Sequence, residues 1–321
     1  MNPFQSGSLR LFRFSGIQVY LHWSWLLVAV YQISTRPRSY SSMLWNVAEY
    51  LALFGIVLLH EFGHAFASRQ VGGQSREILL WPFGGIAFVR VPPRPGAELW
   101  SIAAGPLVNV VLWPLLALAF LALAGFEAWR VLFHPGVFFR FAAQLPDAIQ
   151  FIGTVFFINF FVLLFNVLPI YPMDGGQILR SLLWFGFGRV RSLQIATIIG
   201  FVGIGLLGVR AVLTGSVYSG LMALFLAQQC FLGWKHAQAL RVQMAAPRHV
   251  GFSCPTCHEP PPGGPMWLCG QCRHPFDPFS TQGVCPHCAA LQAATPCPYC
   301  GAAAPLGAWG RGAAAGATID V

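Results

Sequence analysis

Long apolar segments with few charges between them are the feature that most constrains this chain. A helix needs about 20 apolar residues to cross a bilayer. Six segments come near that length: 17–34, 44–67, 100–124, 148–171, 195–213 and 216–234. Only 9% of the 321 residues are charged, against roughly 25% in a soluble domain. This pattern excludes a disordered chain and an ordinary soluble enzyme, and it predicts an all-α polytopic membrane protein with about six spans.

The basic residues predict the orientation of these spans. With the N-terminus in the cytoplasm, the inside segments hold twelve Lys and Arg residues and the outside loops hold only Arg36, Arg38, Arg130 and Arg140. Because cytoplasmic loops carry the excess of positive charge, we expect both termini in the cytoplasm. The dominance of Arg over Lys, with abundant Ala and Gly, favours a GC-rich bacterial genome and hence the plasma membrane.

The second span ends with a metal-binding pattern, His60-Glu61-Phe62-Gly63-His64. Positions i and i+4 share one face of a helix, so both imidazoles can bind one zinc ion. Glu61 lies beside that face and can accept the proton of a zinc-bound water. Ionisable groups within a span are costly and are functional by default. The weaker alternative is a pair of polar residues that are merely buried against other helices.

Two further segments supply polar groups at the same predicted depth. Asp174 stands in a segment broken by Pro and Gly after the fourth span, where irregular backbone can line a cavity and reach a buried metal. A helix-capping role is its alternative. Asn109 follows the small residues Ala103-Ala104-Gly105-Pro106 at the start of the third span. Its amide suits an interhelical hydrogen bond or a catalytic contact equally well.

Together these motifs resemble the site-2 protease family of intramembrane zinc metalloproteases. The resemblance rests on the His60–His64 motif, on the small-residue motif that ends in Asn109, and on Asn166-x-x-Pro169-x-x-Pro172-x-Asp174-Gly175-Gly176. It implies a three-helix catalytic core over residues 44–176. It also implies an endopeptidase that hydrolyses peptide bonds in or next to transmembrane segments by a zinc-activated water.

The resemblance also assigns roles to single residues. It implies a catalytic zinc bound by His60, His64 and Asp174, with Glu61 as the general base and later the acid. Asn166 matches the asparagine that polarises the scissile carbonyl or stabilises the oxyanion, and Asn109 would assist it.

Residues 78–90 are apolar but too short to span a membrane. Pro82, Gly84 and Gly85 divide them into two strand-like halves, which predicts a short β-hairpin or re-entrant loop at the membrane surface. In the family, a similar segment is proposed to hold an unwound substrate by pairing along a strand edge. The alternative is an interfacial loop anchored by Trp81 and Phe83.

Beyond the membrane metalloprotease domain, residues 1–245, the composition changes. Residues 251–300 contain four Cys-x-x-Cys pairs: Cys254/Cys257, Cys269/Cys272, Cys285/Cys288 and Cys297/Cys300. This spacing is typical of Cys₄ structural zinc sites, so we predict a double zinc-ribbon-like module with two zinc ions. In the simplest pairing the first two pairs bind one ion and the last two bind the other, and a crossed pairing stays open. Disulfides are the alternative, disfavoured in a reducing cytoplasm.

The remaining expectations concern the tail, the partners and the rival functions. Residues 301–321 are rich in Ala and Gly, which predicts a disordered tail. The expected partners are membrane protein substrates, the lipid bilayer and a protein bound by the zinc-ribbon module. Nucleic acid is not expected, because Arg273 is the one basic residue of residues 254–300. The rivals are a non-proteolytic membrane scaffold that recruits partners through the module, and a zinc transporter.

Overall fold

The computed structural model describes residues 7–35, 40–81 and 84–310. The chain divides into two compact units, Met1–Phe231 and Leu232–Val321.

The first unit contains a four-stranded sheet in the order β1-β2-β3-β4. Its strands are β1 (Ser8–Phe14), β2 (Ile17–His22), β3 (Gln74–Trp81) and β4 (Gly84–Arg90). β2 and β3 pair in parallel, and the two outer pairs are antiparallel. Ile17, Val19, Ile78 and Leu80 are buried and cluster with Phe62 of the following long helix. One face of the sheet is therefore fixed next to the motif that begins at residue 60.

The described residues form eight α-helices, and two of these are short. Their bounds are α1 (Ser24–Thr35), α2 (Met43–Gln70), α3 (Pro95–Ala124), α4 (Trp129–Leu132), α5 (Pro135–Phe141), α6 (Asp147–Val167), α7 (Asp174–Thr214) and α8 (Val217–Ala245). Gly188 divides α7, because its φ of 77° is not helical. α3 contacts α2, α6 and α7. Four helices of the described chain are long and apolar enough to cross a membrane, namely α2, α3, α6 and α7.

The first predicted span, residues 17–34, is wrong. Its first part is β2, which pairs with both β1 and β3. Its second part is α1, whose 12 residues reach only about 18 Å at 1.5 Å per residue. A short apolar strand cannot be distinguished from part of a helix by its composition, and this is why the segment resembled a span.

The last two predicted spans fall on α7 and α8. Residues 195–213 lie in the part of α7 that follows Gly188. Residues 216–234 lie in α8, which is helical but is not among the four helices that meet the membrane criteria. Gln228 and Gln229 interrupt its apolar sequence. Residues 78–90 are observed as paired strands, β3 and β4, within the larger sheet, and their position at a membrane surface stays a prediction.

The second unit contains the cysteine pairs. Two strand pairs form its framework, β5 (Trp267–Leu268) with β6 (Pro275–Phe276), and β7 (Thr295–Pro296) with β8 (Ala303–Ala304). Trp309 is fully buried in the core of this unit, with its ring 5.0 Å from that of Phe279. The predicted disordered tail is therefore wrong at its start, because Trp309 supplies enough apolar surface to order residues 303–309. Residues 311–321 lie outside the described range.

Candidate metal centre

Two helices bring together three side chains that could hold a metal ion. His60 and His64 lie one turn apart on α2, and Asp174 is the first residue of α7. The two Nε2 atoms are 3.1 Å apart, and Oδ2 of Asp174 lies 2.9 Å from His60 Nε2 and 3.4 Å from His64 Nε2. Zinc bonds of 2.0–2.1 Å in a tetrahedron place ligand atoms about 3.3 Å apart. The three side chains therefore fit one zinc ion.

The other ring nitrogens of both histidines are hydrogen-bonded. His60 Nδ1 donates to Oδ1 of Asn109 at 2.6 Å, and His64 Nδ1 donates to the backbone oxygen of Ser101 at 2.9 Å. A proton on Nδ1 leaves the Nε2 lone pair free for a metal, and such partners also fix the ring orientation. α3 therefore sets the tautomer and the direction of both imidazoles.

The close approach of α3 requires a glycine at position 105. A Cβ atom at this position would lie 2.8 Å from His60 Nε2, and still closer to His64 Nε2. Ordinary contacts of a Cβ atom are 3.4–4 Å. Gly105 thus leaves open the space in front of the two metal-binding nitrogens, as a bound ion requires.

Glu61 lies between α2 and the sheet. Its side chain is buried, and a Cβ atom on Gly85 would lie 2.5 Å from its Oε1 atom. The backbone N–H of Ala87 donates a hydrogen bond to its carboxylate. Because β4 is the last strand of the sheet, an edge of the sheet passes directly beside this carboxylate.

Asn159 belongs to the same hydrogen-bond network, and the sequence analysis did not identify it. Asn109 Nδ2 donates to Asn159 Oδ1 at 2.8 Å, and Asn159 Nδ2 donates to the backbone oxygen of Asn109 at 2.9 Å. Both side chains are fully buried. These contacts support the interhelical role for Asn109. A polar residue within the apolar sequence of α6 was the available signal for Asn159.

Asn166 does not take part in this hydrogen-bond network. It lies in the last turn of α6, which ends at Val167, and its side chain is half-buried. No hydrogen bond of this side chain is present within residues 7–35, 40–81 and 84–310.

The eight cysteines of the second unit form two groups, each able to hold a metal. Cys254, Cys257, Cys297 and Cys300 form one group, and Cys269, Cys272, Cys285 and Cys288 form the other. The closest Sγ–Sγ distances between pairs are 3.5–3.7 Å, near the roughly 3.8 Å edge of a tetrahedron with 2.3 Å Zn–S bonds. All eight cysteines are free.

The observed grouping corrects the simplest predicted pairing. The outer two Cys-x-x-Cys pairs share one site, and the inner two share the other. The Trp267, Phe279 and Trp309 cluster packs with Cys254 and Cys297. Burial of this apolar core brings the two ends of the module together.

Asp277 stabilises the loop between the two sites. It accepts hydrogen bonds from the backbone nitrogens of Gly264 and Phe279, both at 3.0 Å, and from Nε2 of His249 at 2.7 Å. Burial raises the pKa of this carboxyl, but the hydrogen bonds from Gly264, His249 and Ser280 outweigh it. The pKa of Asp277 therefore lies below its ordinary value.

Known proteins match the first unit. The family model described as Peptidase family M50 matches residues 48–209. A zinc metalloprotease of Methanocaldococcus jannaschii is 32% identical over 193 residues, which are 60% of this chain and 50% of that protein. Stage IV sporulation protein FB of Bacillus subtilis is 28% identical over 206 residues, 63% of this chain and 64% of that protein. The aligned part thus spans half to two thirds of these relatives.

A solved structure also resembles the chain. The site-2 protease from Methanocaldococcus jannaschii matches with a TM-score of 0.45 and 26% identity, over 71% of this chain and 95% of that one. The family model covers half of the chain and includes His60, His64 and Asp174. The chain therefore belongs to peptidase family M50, the site-2 protease family.

Proposed function

We propose that this chain is a zinc endopeptidase of the membrane that hydrolyses peptide bonds in or next to transmembrane segments of membrane proteins. The observation that carries the proposal is the tetrahedral spacing of three ligand atoms with a buried carboxylate beside them. Membership of peptidase family M50 supports it. Three of the four elements around the site, α2, α3 and α7, are candidate membrane helices, which supports a membrane-embedded substrate.

The catalytic roles are assigned from the positions of the side chains around the site. His60, His64 and Asp174 would bind the zinc ion, which when bound lowers the pKa of water to about 7 and polarises a carbonyl. Glu61 takes the proton of the attacking water and returns it to the leaving amine. Burial of Glu61 against β4 limits the movement of its carboxylate and excludes bulk water from it. Asn109 acts as a positioning residue through His60.

The edge of β4 is the proposed substrate contact. A helical substrate hides its peptide groups in its own hydrogen bonds, so the segment to be cleaved must first become extended. An extended segment can pair with the last strand of a sheet, and β4 would place its backbone next to Glu61. Asn166 is the proposed donor to the carbonyl oxygen, because α6 leads directly from it into the segment that carries Asp174.

The number of zinc ions, the membrane and the orientation of the chain are also proposals. We propose one catalytic zinc and two structural zinc ions, a bacterial plasma membrane location, and cytoplasmic termini. The arginines of β1, of the end of α2 and of β3 and β4 lie around one sheet, and the positive-inside rule supports the cytoplasm for that side. The zinc-ribbon module is proposed to bind a protein partner, and its low content of basic residues supports this choice over nucleic acid.

A non-proteolytic scaffold remains the rival function. The placement of Glu61 beside the three ligands disfavours it, because a scaffold needs no general base. A zinc transporter is disfavoured because its ligands should be distributed along a path through the membrane. Here His60, His64 and Asp174 converge at one point.

Comparison of membrane proteomes tests the proposal and identifies substrates. Cells that produce the wild-type chain are compared with cells that produce Glu61→Gln, which keeps all three ligands. We expect new peptide termini within or next to transmembrane segments only with the wild type. Identical sets of termini would refute the protease and favour the scaffold.

A further inference from the structure

A second polar site lies against β1, β2 and β3 of the sheet. A cleft of about 560 Å³ is lined by four arginines, with the polar side chains Gln18 and Tyr20 between them; the arginines are Arg10, Arg13, Arg69 and Arg76. They come from β1, from the last turn of α2 and from β3. None of these residues takes part in the metal centre.

A β-bulge explains why two arginines of one strand reach the same cleft. Residues three apart in a regular strand point to opposite faces. The pairing of β1 with β2 shifts between Arg10 and Phe12, so that Arg10 lies opposite Tyr20 and Arg13 lies opposite Gln18. Gln18 and Tyr20 are two residues apart and share a face. The extra residue of the bulge therefore returns Arg13 to the face of Arg10.

Neutral groups hold two of the guanidinium groups in place. Arg69 donates from Nη1 to the backbone oxygen of Ser15 at 2.5 Å and from Nη2 to that of Ser75 at 2.6 Å. Arg10 Nε donates to Oε1 of Gln18 at 2.8 Å. These acceptors orient the guanidinium groups without cancelling their charge. Glu77 is the one carboxylate in the lining, so the four arginines leave the cleft with an excess of positive charge.

The position of the cleft favours a membrane ligand. Arg69 is one residue from the end of α2, a candidate membrane helix, and therefore lies where the span would leave the bilayer. Basic side chains at the end of a membrane span are typical of a site for anionic lipid headgroups.

We propose that this cleft binds the phosphate of an anionic phospholipid headgroup. Guanidinium groups bind phosphate oxygens in pairs, with charge-assisted hydrogen bonds. The place of Arg69 at the end of a candidate membrane helix favours a lipid headgroup over a free phosphate ion. The proposal rests on the proposed membrane location of α2, and not on protease activity.

Lipid binding by the purified full chain tests the proposed headgroup site. The chain in detergent is titrated with phosphatidylglycerol or with phosphatidylcholine, and bound lipid is counted by native mass spectrometry. The test variant is Arg13→Gln/Arg76→Gln, because neither side chain makes a hydrogen bond in the described residues. The matched control is Arg130→Gln/Arg140→Gln, which changes the charge equally on α4 and α5.

We expect the wild type to prefer phosphatidylglycerol, and the test variant to bind it about 30-fold more weakly, since each arginine near a lipid surface contributes about fivefold. The control should bind as the wild type does. Equal binding of the two lipids, or an unchanged affinity of the test variant, overturns the proposal. Inorganic phosphate that binds through Arg13 and Arg76 without any preference for phosphatidylglycerol overturns the lipid assignment.

The measurement is independent of the proposed protease. Glu61→Gln protein should bind phosphatidylglycerol as the wild type does. A failure of the lipid proposal and a failure of the protease proposal therefore give different results.

Discussion

Replacing Gly105 by alanine should remove the metal from the first unit. The added Cβ atom would lie 2.8 Å from His60 Nε2 and closer to His64 Nε2. Both atoms are the proposed metal ligands, so the methyl group would occupy the space that the ion needs. No other property of the side chain changes.

The expected loss of zinc affinity follows from these distances. The shortest ordinary contact of a Cβ atom is 3.4 Å, so the imidazole of His60 alone must retreat by at least about 0.6 Å. Metal sites accept ligand displacements of about 0.2 Å. Loss of a group that merely orients a ligand costs 10–100-fold in metal affinity. We therefore expect Gly105→Ala to weaken zinc binding at this site by at least about 100-fold.

Zinc content measures this directly. The purified chain is dialysed against a zinc buffer and its metal is counted by plasma mass spectrometry. We expect three ions in the wild type and two in Gly105→Ala, because both cysteine sites remain. Gly55→Ala is the control. Gly55 is also a helical glycine, on α2, but its Cβ atom would meet nothing within 4 Å, so three ions should remain.

Helix propensity does not predict misfolding of either variant, since alanine is favoured over glycine in a helix by up to about 1 kcal/mol. Circular dichroism should show unchanged helix content in both variants. Three zinc ions in Gly105→Ala would refute the close packing of α3 on the two histidines. Loss of one ion in Gly55→Ala as well would show that the effect is not specific to the metal centre.

Three further predictions concern the surroundings of the metal sites. Asn109→Leu should weaken zinc binding at the first site 10–100-fold, because an imidazole loses its orienting partner; competition with a zinc chelator measures it. Cys254→Ser/Cys300→Ser should lose one zinc ion, whereas Cys254→Ser/Cys269→Ser should lose two, as counted by plasma mass spectrometry; the reverse result would contradict the nested pairing. Asp277→Asn should lower the urea midpoint of the second unit at pH 7. Because the native pKa of this carboxyl is lowered, the difference from wild type should persist above about pH 4 and vanish as the pH falls through the native pKa; a constant difference would contradict this.

The three candidate metal ligands were predictable because their pattern is local. The spacing of His60 and His64 places them on one helix face whatever surrounds them. Asp174 was recognisable because a carboxylate after Pro172 and before two glycines is poorly suited to a simple span. The approach of their ligand atoms to within 3.4 Å depends on the packing of α2, α3 and α7. From the sequence this approach could be inferred only because the three residues are predicted at the same depth in the membrane.

The groups that orient the ligands were less accessible to sequence reasoning. Ser101 acts through its backbone oxygen, which every residue has, so no pattern marks it. Asn159 carries a signal, as a buried amide in an apolar helix, but its partner is set by the way α6 packs on α3. The sequence left the role of Asn109 open for the same reason.

The errors in the fold have similar causes. Counting apolar residues over a window does not distinguish the strand Ile17–His22 from a helix, because its burial depends on β3, more than 50 residues later in the chain. The spacing within each Cys-x-x-Cys pair is local and indicated metal binding. Which pairs share an ion depends on a core that includes Trp267 and Trp309, and that contact is not visible in any short pattern.

Cleavage by the purified chain tests the proposed protease most directly. The chain is reconstituted in nanodiscs with a transmembrane segment identified by the proteome comparison, and product is measured at matched zinc content. We predict cleavage by the wild type that stops with 1,10-phenanthroline, and a rate for Glu61→Gln that is lower by about 10²–10⁴. Cleavage by Glu61→Gln at the wild-type rate would contradict the assignment of the general base and of the metal centre it serves.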